Sequence, residues 1–488
     1  MPNLIRHLLG YMPVNIVLGL SSFGGVFLFT RLMGADDYGR YALAFSAMHV
    51  IHTLTLTWTE AAGYRFYAEA QAKGHLPDHF KTCLALALIS LVPAFLVLGA
   101  TLLLLQGMPE LRDAIVWILI LLPVSVIVNI ALQSHKAGLR VARFSAIEIG
   151  RTLGGFLIGA GFAWIGGFGA AAPLIGIAVS FSIAAATEGY WLWRQSTGGH
   201  VDWHGAKKYL AYGIPISAAL VLDLILSASD RFLIAYFIDE AAVGAYAAGY
   251  GVADKTVLMI CAWAAMAGAP LVMEAYEMRG KQAAETEARG MAQAIMLLAI
   301  PAAVGIAVVA KPLSDVMIGE ELRDQAREII PWIAVAGLFN GLLIHYFSEA
   351  FQLAHKTAER AFIMLIPSLL NIGLNIVLLP VMGLMGAVYA TVFCYVLAVA
   401  LLAGFGRRHL AMPVPMLDLA KILGACLAMA GAVQLIPGFG GLIELMCKAA
   451  IGALTYGLCV VSLNAAGARG TAISVAGKVK SRLRPPAT

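Results

Sequence analysis

The chain consists of long, uninterrupted apolar runs separated by short breaks that carry charged and turn-forming residues. A helix needs about 20 apolar residues to cross a bilayer, and the runs do not alternate as barrel strands would. The pattern therefore predicts an all-α polytopic membrane protein with about 14 transmembrane helices. The predicted spans are 8–30, 39–58, 82–105, 113–134, 147–165, 170–193, 209–236, 243–272, 291–310, 328–350, 361–380, 384–406, 417–436 and 442–463.

Composition narrows the class of protein. Of the 488 residues 60% are hydrophobic and only 12% are charged, about half the charged share of a soluble domain. This excludes a soluble enzyme, a nucleic-acid-binding protein, a secreted disulfide scaffold and a disordered chain. The six cysteines fall in apolar runs without metal-ligand spacing, so we expect neither a disulfide nor a metal site. No catalytic or nucleotide-binding motif occurs, and the sequence predicts a protein that is not an enzyme and has no cofactor.

Basic residues are distributed unequally between the loops on the two sides of the membrane. With a cytoplasmic N-terminus, 23 of the 33 Lys and Arg residues fall on the inner side and six on the outer side. Because positive charge accumulates in cytoplasmic loops, we expect a multi-pass membrane protein with both termini in the cytoplasm.

Short landmarks recur at an offset of about 205–220 residues. Gly39-Arg-Tyr41 is matched by Gly244-Ala-Tyr246, each at the start of a predicted span. Two further landmarks follow in the same order, which predicts two homologous six-helix lobes in parallel orientation around a central cavity. The expected parts are an N-terminal lobe 1–195, a cytoplasmic linker 196–208, a C-terminal lobe 209–406, an additional helix pair 407–463 and a basic cytoplasmic tail 464–488.

Several predicted spans contain ionisable residues, which are costly in hydrocarbon and normally face a bundle interior or water. Asp223 and Asp230 lie seven residues apart on one face of a helix, and Arg231 follows directly. His49 and His52 share a face of the second span. Structural roles stay open for all of them, as salt bridges, interfacial anchors or helix–helix hydrogen bonds. Glu148 and Arg151, three residues apart, are predicted to form such a salt bridge.

Five short motifs resemble polysaccharide-biosynthesis transporters, the O-antigen-type flippases of lipid-linked oligosaccharides. Their superfamily also holds multidrug extrusion pumps and lipid II flippases. The motifs are GADDYGRYA at 34–42, RFYAE at 65–69, SDRFLI at 229–234, VGAYA at 243–247 and LPVMGLMGA at 379–387. The resemblance implies that a polyprenyl-pyrophosphate-linked oligosaccharide is flipped from the inner to the outer leaflet by alternating access. It implies three partners: the bilayer, this substrate, and a polysaccharide polymerase or other assembly protein. We expect no nucleic acid among the partners, and we expect the protein to be monomeric.

Removing a pyrophosphate from water is very costly unless the protein replaces its hydration, which arginine and lysine can do. The expected substrate-binding residues are Arg31, Arg65, Arg231, Lys255 and, with lower priority, Arg151. The expected residues for ion or proton coupling are Asp223, Asp230, Glu60 and His49. The acidic residues favour an alternative, a cation-coupled multidrug or small-molecule exporter of the same fold. A membrane enzyme such as a polymerase or ligase would be expected to carry a large outer loop, and none is predicted.

Overall fold

A computed structural model describes residues 2–105 and 108–470, with side chains from residue 13 onward. The greater part of the predicted basic tail, residues 471–488, lies outside the described residues, as does the side chain of Arg6. Helices make up most of the described chain, and no strand occurs in it. This confirms the predicted all-α membrane fold.

The chain divides into two compact units. Unit 1 comprises residues 1–248 with the short segments 319–322 and 375–384, and unit 2 comprises the remainder. Helices wholly in unit 1 are α1 (Pro2–Leu32), α2 (Ala35–Thr55), α3 (Thr57–Ala72), α4 (Leu76–Leu104), α5 (Pro109–Val116), α6 (Ile118–Ala137), α7 (Val141–Ile165), α8 (Ala171–Ser196) and α9 (Trp203–Phe237). The predicted lobe boundaries at residues 195, 209 and 406 stay a prediction.

Helix α10 (Glu240–Arg279) begins in unit 1 and continues in unit 2, and the helices that follow belong mostly to unit 2. They are α11 (Lys281–Val308), α12 (Ala310–Met317), α13 (Glu320–Leu342), α14 (Glu349–Leu353), α15 (Thr357–Met382), α16 (Leu384–Gly406), α17 (Met416–Gln434) and α18 (Gly441–Leu463). A π-helical turn, Leu343–Phe347, joins α13 to α14.

Twelve helical segments of the described chain are long and apolar enough to cross a membrane. The predicted spans 39–58 and 147–165 are not among them, although helices α2 and α7 are present there. Both helices carry several charged residues in their first half, so neither contains a membrane-length stretch as apolar as those of the twelve segments. The observed helices also extend beyond the predicted apolar runs, as α9 does by six residues at its start. The reason is that polar residues at the end of an apolar run can continue the same helix.

Glycines allow α7 and α8 to pack at very short range. A Cβ atom added at Gly176 of α8 would collide with the backbone of Gly155 and Gly159 of α7. Gly155 and Gly159 lie four residues apart, a spacing at which small residues let two helices approach closely. Gly166, with φ of 78°, then ends α7 in a conformation that favours glycine.

We expect Gly176→Leu to destabilise the protein markedly, because the new side chain has to separate two backbones in direct contact. Overpacking of this kind costs about 1–3 kcal/mol or more, which a thermal unfolding measurement in detergent would detect. Gly161→Leu is the matched control, because a Cβ at Gly161 of α7 meets nothing within 4 Å. Equal unfolding temperatures for the two variants would contradict the contact.

The two repeated Gly-x-Tyr landmarks contact each other within unit 1. A Cβ at Gly39 of α2 would meet the carbonyl of Glu240 at the start of α10, and one at Gly244 would meet the carbonyl of Ala35. The first turns of α2 and α10 therefore approach each other reciprocally. Only glycine fits such an approach, which accounts for its place in both landmarks.

Candidate functional site

Asp230 of α9 is a carboxylate with no exposed surface in the interior of unit 1. The hydroxyl of Tyr246 donates to its Oδ2 at 2.6 Å, and the side-chain amide of Asn375 donates to its Oδ1 at 2.8 Å. Tyr246 comes from α10 and Asn375 from α15, so three helices converge on one acid. Each carboxylate oxygen accepts a hydrogen bond, an arrangement suited to a charged group that is held in place.

Arg231, the next residue along α9, makes its contact with a different helix. Its Nη1 donates to the hydroxyl oxygen of Ser46 on α2 at 2.7 Å. Ser46 in turn donates to the carbonyl of Ala42 at 2.7 Å, which fixes the hydroxyl. The guanidinium also lies close enough to Tyr38 and Tyr41 of α2 to interact with them electrostatically. A half-buried cation is thus held against an aromatic and hydroxyl-bearing face of α2.

The other acid of α9, Asp223, is half-buried, unlike the fully buried Asp230. The two residues lie on one helix face by their spacing, as the sequence predicts. They differ in depth, and Asp230 is the one that lies in the protein interior.

A second buried acid, Glu60 of α3, pairs with a histidine of α2. His52 Nε2 lies 2.7 Å from Glu60 Oε1, and Asn129 of α6 donates to the same oxygen at 3.1 Å. The hydroxyl of Ser125 lies 3.1 Å from the other ring nitrogen of His52. Both the histidine and the acid are more than nine-tenths buried.

A break between α2 and α3 makes this pair possible. The helix stops at Thr55 and restarts at Thr57, with Leu56 between them. In a continuous helix, residues eight apart are separated by about 12 Å along the axis, too far for a direct hydrogen bond. The bend therefore brings His52 and Glu60 together. His49, the histidine chosen from the sequence, is exposed and stacks edge-on against Phe45 with ring centroids 4.7 Å apart.

Arg151 of α7 lines a polar pocket in unit 1. Its Nε and Nη2 donate to the two oxygens of Glu148 at 2.9 and 2.6 Å, which is the pair expected from their spacing. The guanidinium also lies over the ring of Phe181, 4.7 Å from its centroid. The pocket has a volume of about 330 Å³ and lies among α1, α6 and α7.

The remaining predicted cations lie at exposed positions. Arg31 at the end of α1 donates to the carbonyl of Phe27 at 2.8 Å and covers that residue's ring. Arg65 of α3 lies beside the ring of Phe66, 5.8 Å from its centroid. Lys255 of α10 belongs to unit 2, where it is exposed, while its neighbour Asp254 is buried and accepts a bond from Asn340 at 3.2 Å.

The sequence does not show which uncharged residues pair with these charged groups. Tyr246, Asn375, Ser46 and Asn129 all lie in apolar helices, where an isolated amide or hydroxyl is itself a sign of a helix–helix hydrogen bond. Within the described residues, no group of three or more potential ligands could hold a metal ion.

The fold is similar to the folds of several solved membrane transporters. The lipid II flippase MurJ in its inward closed conformation matches with a TM-score of 0.68 at 14% identity, over 94% of this chain and 99% of that one. An inward-facing multidrug resistance MATE transporter of the MOP superfamily matches at 0.61 and 16%, over 81% and 93%. The MATE transporter DinF-BH, in complex with R6G, matches at 0.59 and 16%, over 84% and 96%.

The model of the polysaccharide biosynthesis protein family matches residues 28–327, more than half of the chain. The protein therefore belongs to the polysaccharide biosynthesis protein family, and the resemblance of its short motifs is confirmed at that level. Comparison with curated protein sequences finds no match.

Proposed function

We propose that the protein flips a polyprenyl-pyrophosphate-linked oligosaccharide from the cytoplasmic to the periplasmic leaflet of the inner membrane by alternating access. Membership of a polysaccharide-biosynthesis family with a flippase-like fold supports the class of substrate. The observation that carries the proposal is Arg231. This cation lies on a membrane-spanning helix, α9, and its side chain is held against α2 by a bond to Ser46. Such a charge is costly in hydrocarbon, so an arginine in a membrane helix normally faces a bundle interior or water and marks a functional site. A pyrophosphate is an anion that a guanidinium binds well.

In this proposal Arg231 and Lys255 are the principal anion-binding residues, and Arg31, Arg65 and Arg151 assist them. Asp230 and Glu60 couple transport to an ion or proton, because both are buried acids with defined partners. Asp223 and His49 are accessory coupling residues. Both termini are placed in the cytoplasm, and the protein acts as a monomer beside a polymerase or another assembly protein.

Neutralising the principal cations tests this function directly. We expect Arg231→Ala and Lys255→Ala each to reduce flipping of the lipid-linked oligosaccharide at least tenfold, because one charge-assisted bond to phosphate is lost. The measurement is the fraction of substrate reaching the outer leaflet of proteoliposomes, with surface polysaccharide of the complemented host as a second readout. Arg194→Ala, which removes an exposed cation at the end of α8, is the matched control. Unchanged flipping in both variants would overturn the proposed roles.

The alternative is a cation-coupled exporter of drugs or other small molecules. The fully buried acid Asp230 is the observation that favours it, since a carboxylate in a membrane helix suits a cationic partner. Transport of a cationic dye by the purified protein, without transport of the lipid-linked oligosaccharide, would decide for this alternative.

A further inference from the structure

Three cations lie close together in the chain where α6 turns into α7 in unit 1. Lys136 is in the last turn of α6, Arg140 directly precedes α7, and Arg143 is in the first turn of α7. The first two are exposed and the third is half-buried. No aspartate or glutamate occurs between residues 114 and 147. We call these three residues the basic turn.

One acid, Glu188 of α8, is bound to the basic turn, and it is only 2% exposed. Its Oε1 accepts from Nε and Nη2 of Arg143 at 3.2 and 2.9 Å, and its Oε2 lies 2.7 Å from Nε2 of His135. Within the described part of the chain, neither Lys136 nor Arg140 forms an ion pair. The charge that the basic turn presents at the surface is therefore positive.

Aromatic rings hold all three cations in place. The guanidinium groups of Arg140 and Arg143 each lie 5.1 Å from the ring centroid of Trp191 on α8. The ammonium of Lys136 lies 5.0 Å from the centroid of Phe144. Two cations on one ring repel each other, and Glu188 neutralises only one of them. A bound anion would lower this repulsion, and cations that are already positioned lose little conformational freedom when they bind it.

The residues around Trp191 indicate the level of the basic turn in the bilayer. Helix α8 is long and apolar enough to cross a membrane, and Tyr190 and Trp193 in its last turns are 58% and 64% exposed. Exposed tyrosine and tryptophan rings concentrate at the level of the lipid headgroups. Leu139, in the middle of the basic turn, is 68% exposed, and an apolar side chain beside cations is also typical of this level.

Charge and level together select the ligand. Ammonium and guanidinium groups only donate hydrogen bonds, and the phosphodiester of a lipid headgroup only accepts them. A zwitterionic headgroup would bring its own cation next to the basic turn, which is unfavourable. A soluble phosphate would lack the acyl chains that pack against the apolar surface of α8. Basic clusters at the membrane surface attract anionic headgroups in this way.

We propose that the basic turn binds the headgroup of an anionic phospholipid. Lys136 and Arg140 bind the phosphate, and Glu188 positions Arg143 beside them. With both termini placed in the cytoplasm, the lipid belongs to the inner leaflet. The inference goes beyond the proposed function and does not depend on it, because binding of this lipid requires no transport.

The test is lipid binding by the full chain purified in detergent, measured by native mass spectrometry, which counts bound lipid molecules. We expect phosphatidylglycerol to bind more tightly than phosphatidylcholine, and its binding to weaken as salt rises. Lys136→Gln/Arg140→Gln should weaken binding of the first phosphatidylglycerol molecule about tenfold, because two of the three charges at the headgroup are lost. Arg140→Gln alone replaces the double variant if that one does not fold.

Lys73→Gln/Lys208→Gln is the matched control. It removes two positive charges from another part of unit 1, where both lysines are paired with Glu69, and it should leave phosphatidylglycerol binding unchanged. The proposal is overturned if the two lipids bind equally well or if both double variants weaken binding to the same extent. Glycerol phosphate provides the third arm of the test. Equally tight binding of this soluble anion would show an anion site without a role for the lipid.

Discussion

Asp230→Asn is expected to abolish transport while leaving the protein folded and inserted. Asparagine keeps the shape of the side chain, and its amide can face the hydroxyl of Tyr246, which then accepts instead of donating. The bond from Asn375 to the remaining oxygen is retained. The substitution thus removes the charge with little change in packing. The measurements are flipping in proteoliposomes and protein abundance in the membrane. We expect flipping to fall at least tenfold and the abundance to stay unchanged.

Asp230→Ala separates the charge from the hydrogen bonds. It leaves Tyr246 and Asn375 without the acceptor seen here, and buried donors that lose their acceptor cost about 1–3 kcal/mol each. We therefore expect alanine to lower the unfolding temperature clearly and asparagine to leave it close to that of the wild type. Full transport by a well-folded Asp230→Asn protein would show that the carboxylate is structural and has no part in coupling.

The helices could be predicted from the sequence because each apolar run had to form its own hydrogen bonds in hydrocarbon. The break at Leu56 could not, since a single residue interrupts a run that is otherwise helical on both sides. Four threonines at positions 53, 55, 57 and 59 surround it, and their branched side chains lower helix propensity only slightly. The bonds that join Glu60 to His52 and Asn129 lie across the break, and they form only in the folded protein.

The candidate site likewise has residues that the sequence identifies and contacts that it does not. The sequence identifies Asp230 and Arg231, because a charge in an apolar run stands out. It does not pair Asp230 with Asn375, which lies 145 residues further along the chain and reaches Asp230 only through the packing of the end of α15 in unit 1. Adjacent positions on a helix differ by about 100°, so the divergence of Asp230 and Arg231 follows from geometry. Which of the two faces the interior depends on the neighbouring helices.

Glu60→Leu is expected to lower the stability of the protein by about 2 kcal/mol. The variant removes the acceptor of two bonds, from His52 and from Asn129, and bonds between membrane helices contribute about 1 kcal/mol each. The buried imidazole of His52 is then left with Ser125 and Asn129 as its neighbours. Thermal unfolding of the purified protein in one detergent measures the change.

A double-mutant cycle distinguishes the pair from two independent residues. In His52→Leu/Glu60→Leu neither member is left buried without the other, so the double variant should be more stable than the sum of the single effects predicts. His49→Leu is the matched control on the same helix, and its exposed position predicts a much smaller change. Strict additivity of the two single substitutions would contradict the pairing. If His49→Leu lost as much stability as His52→Leu, His49 rather than His52 would be the buried histidine of α2.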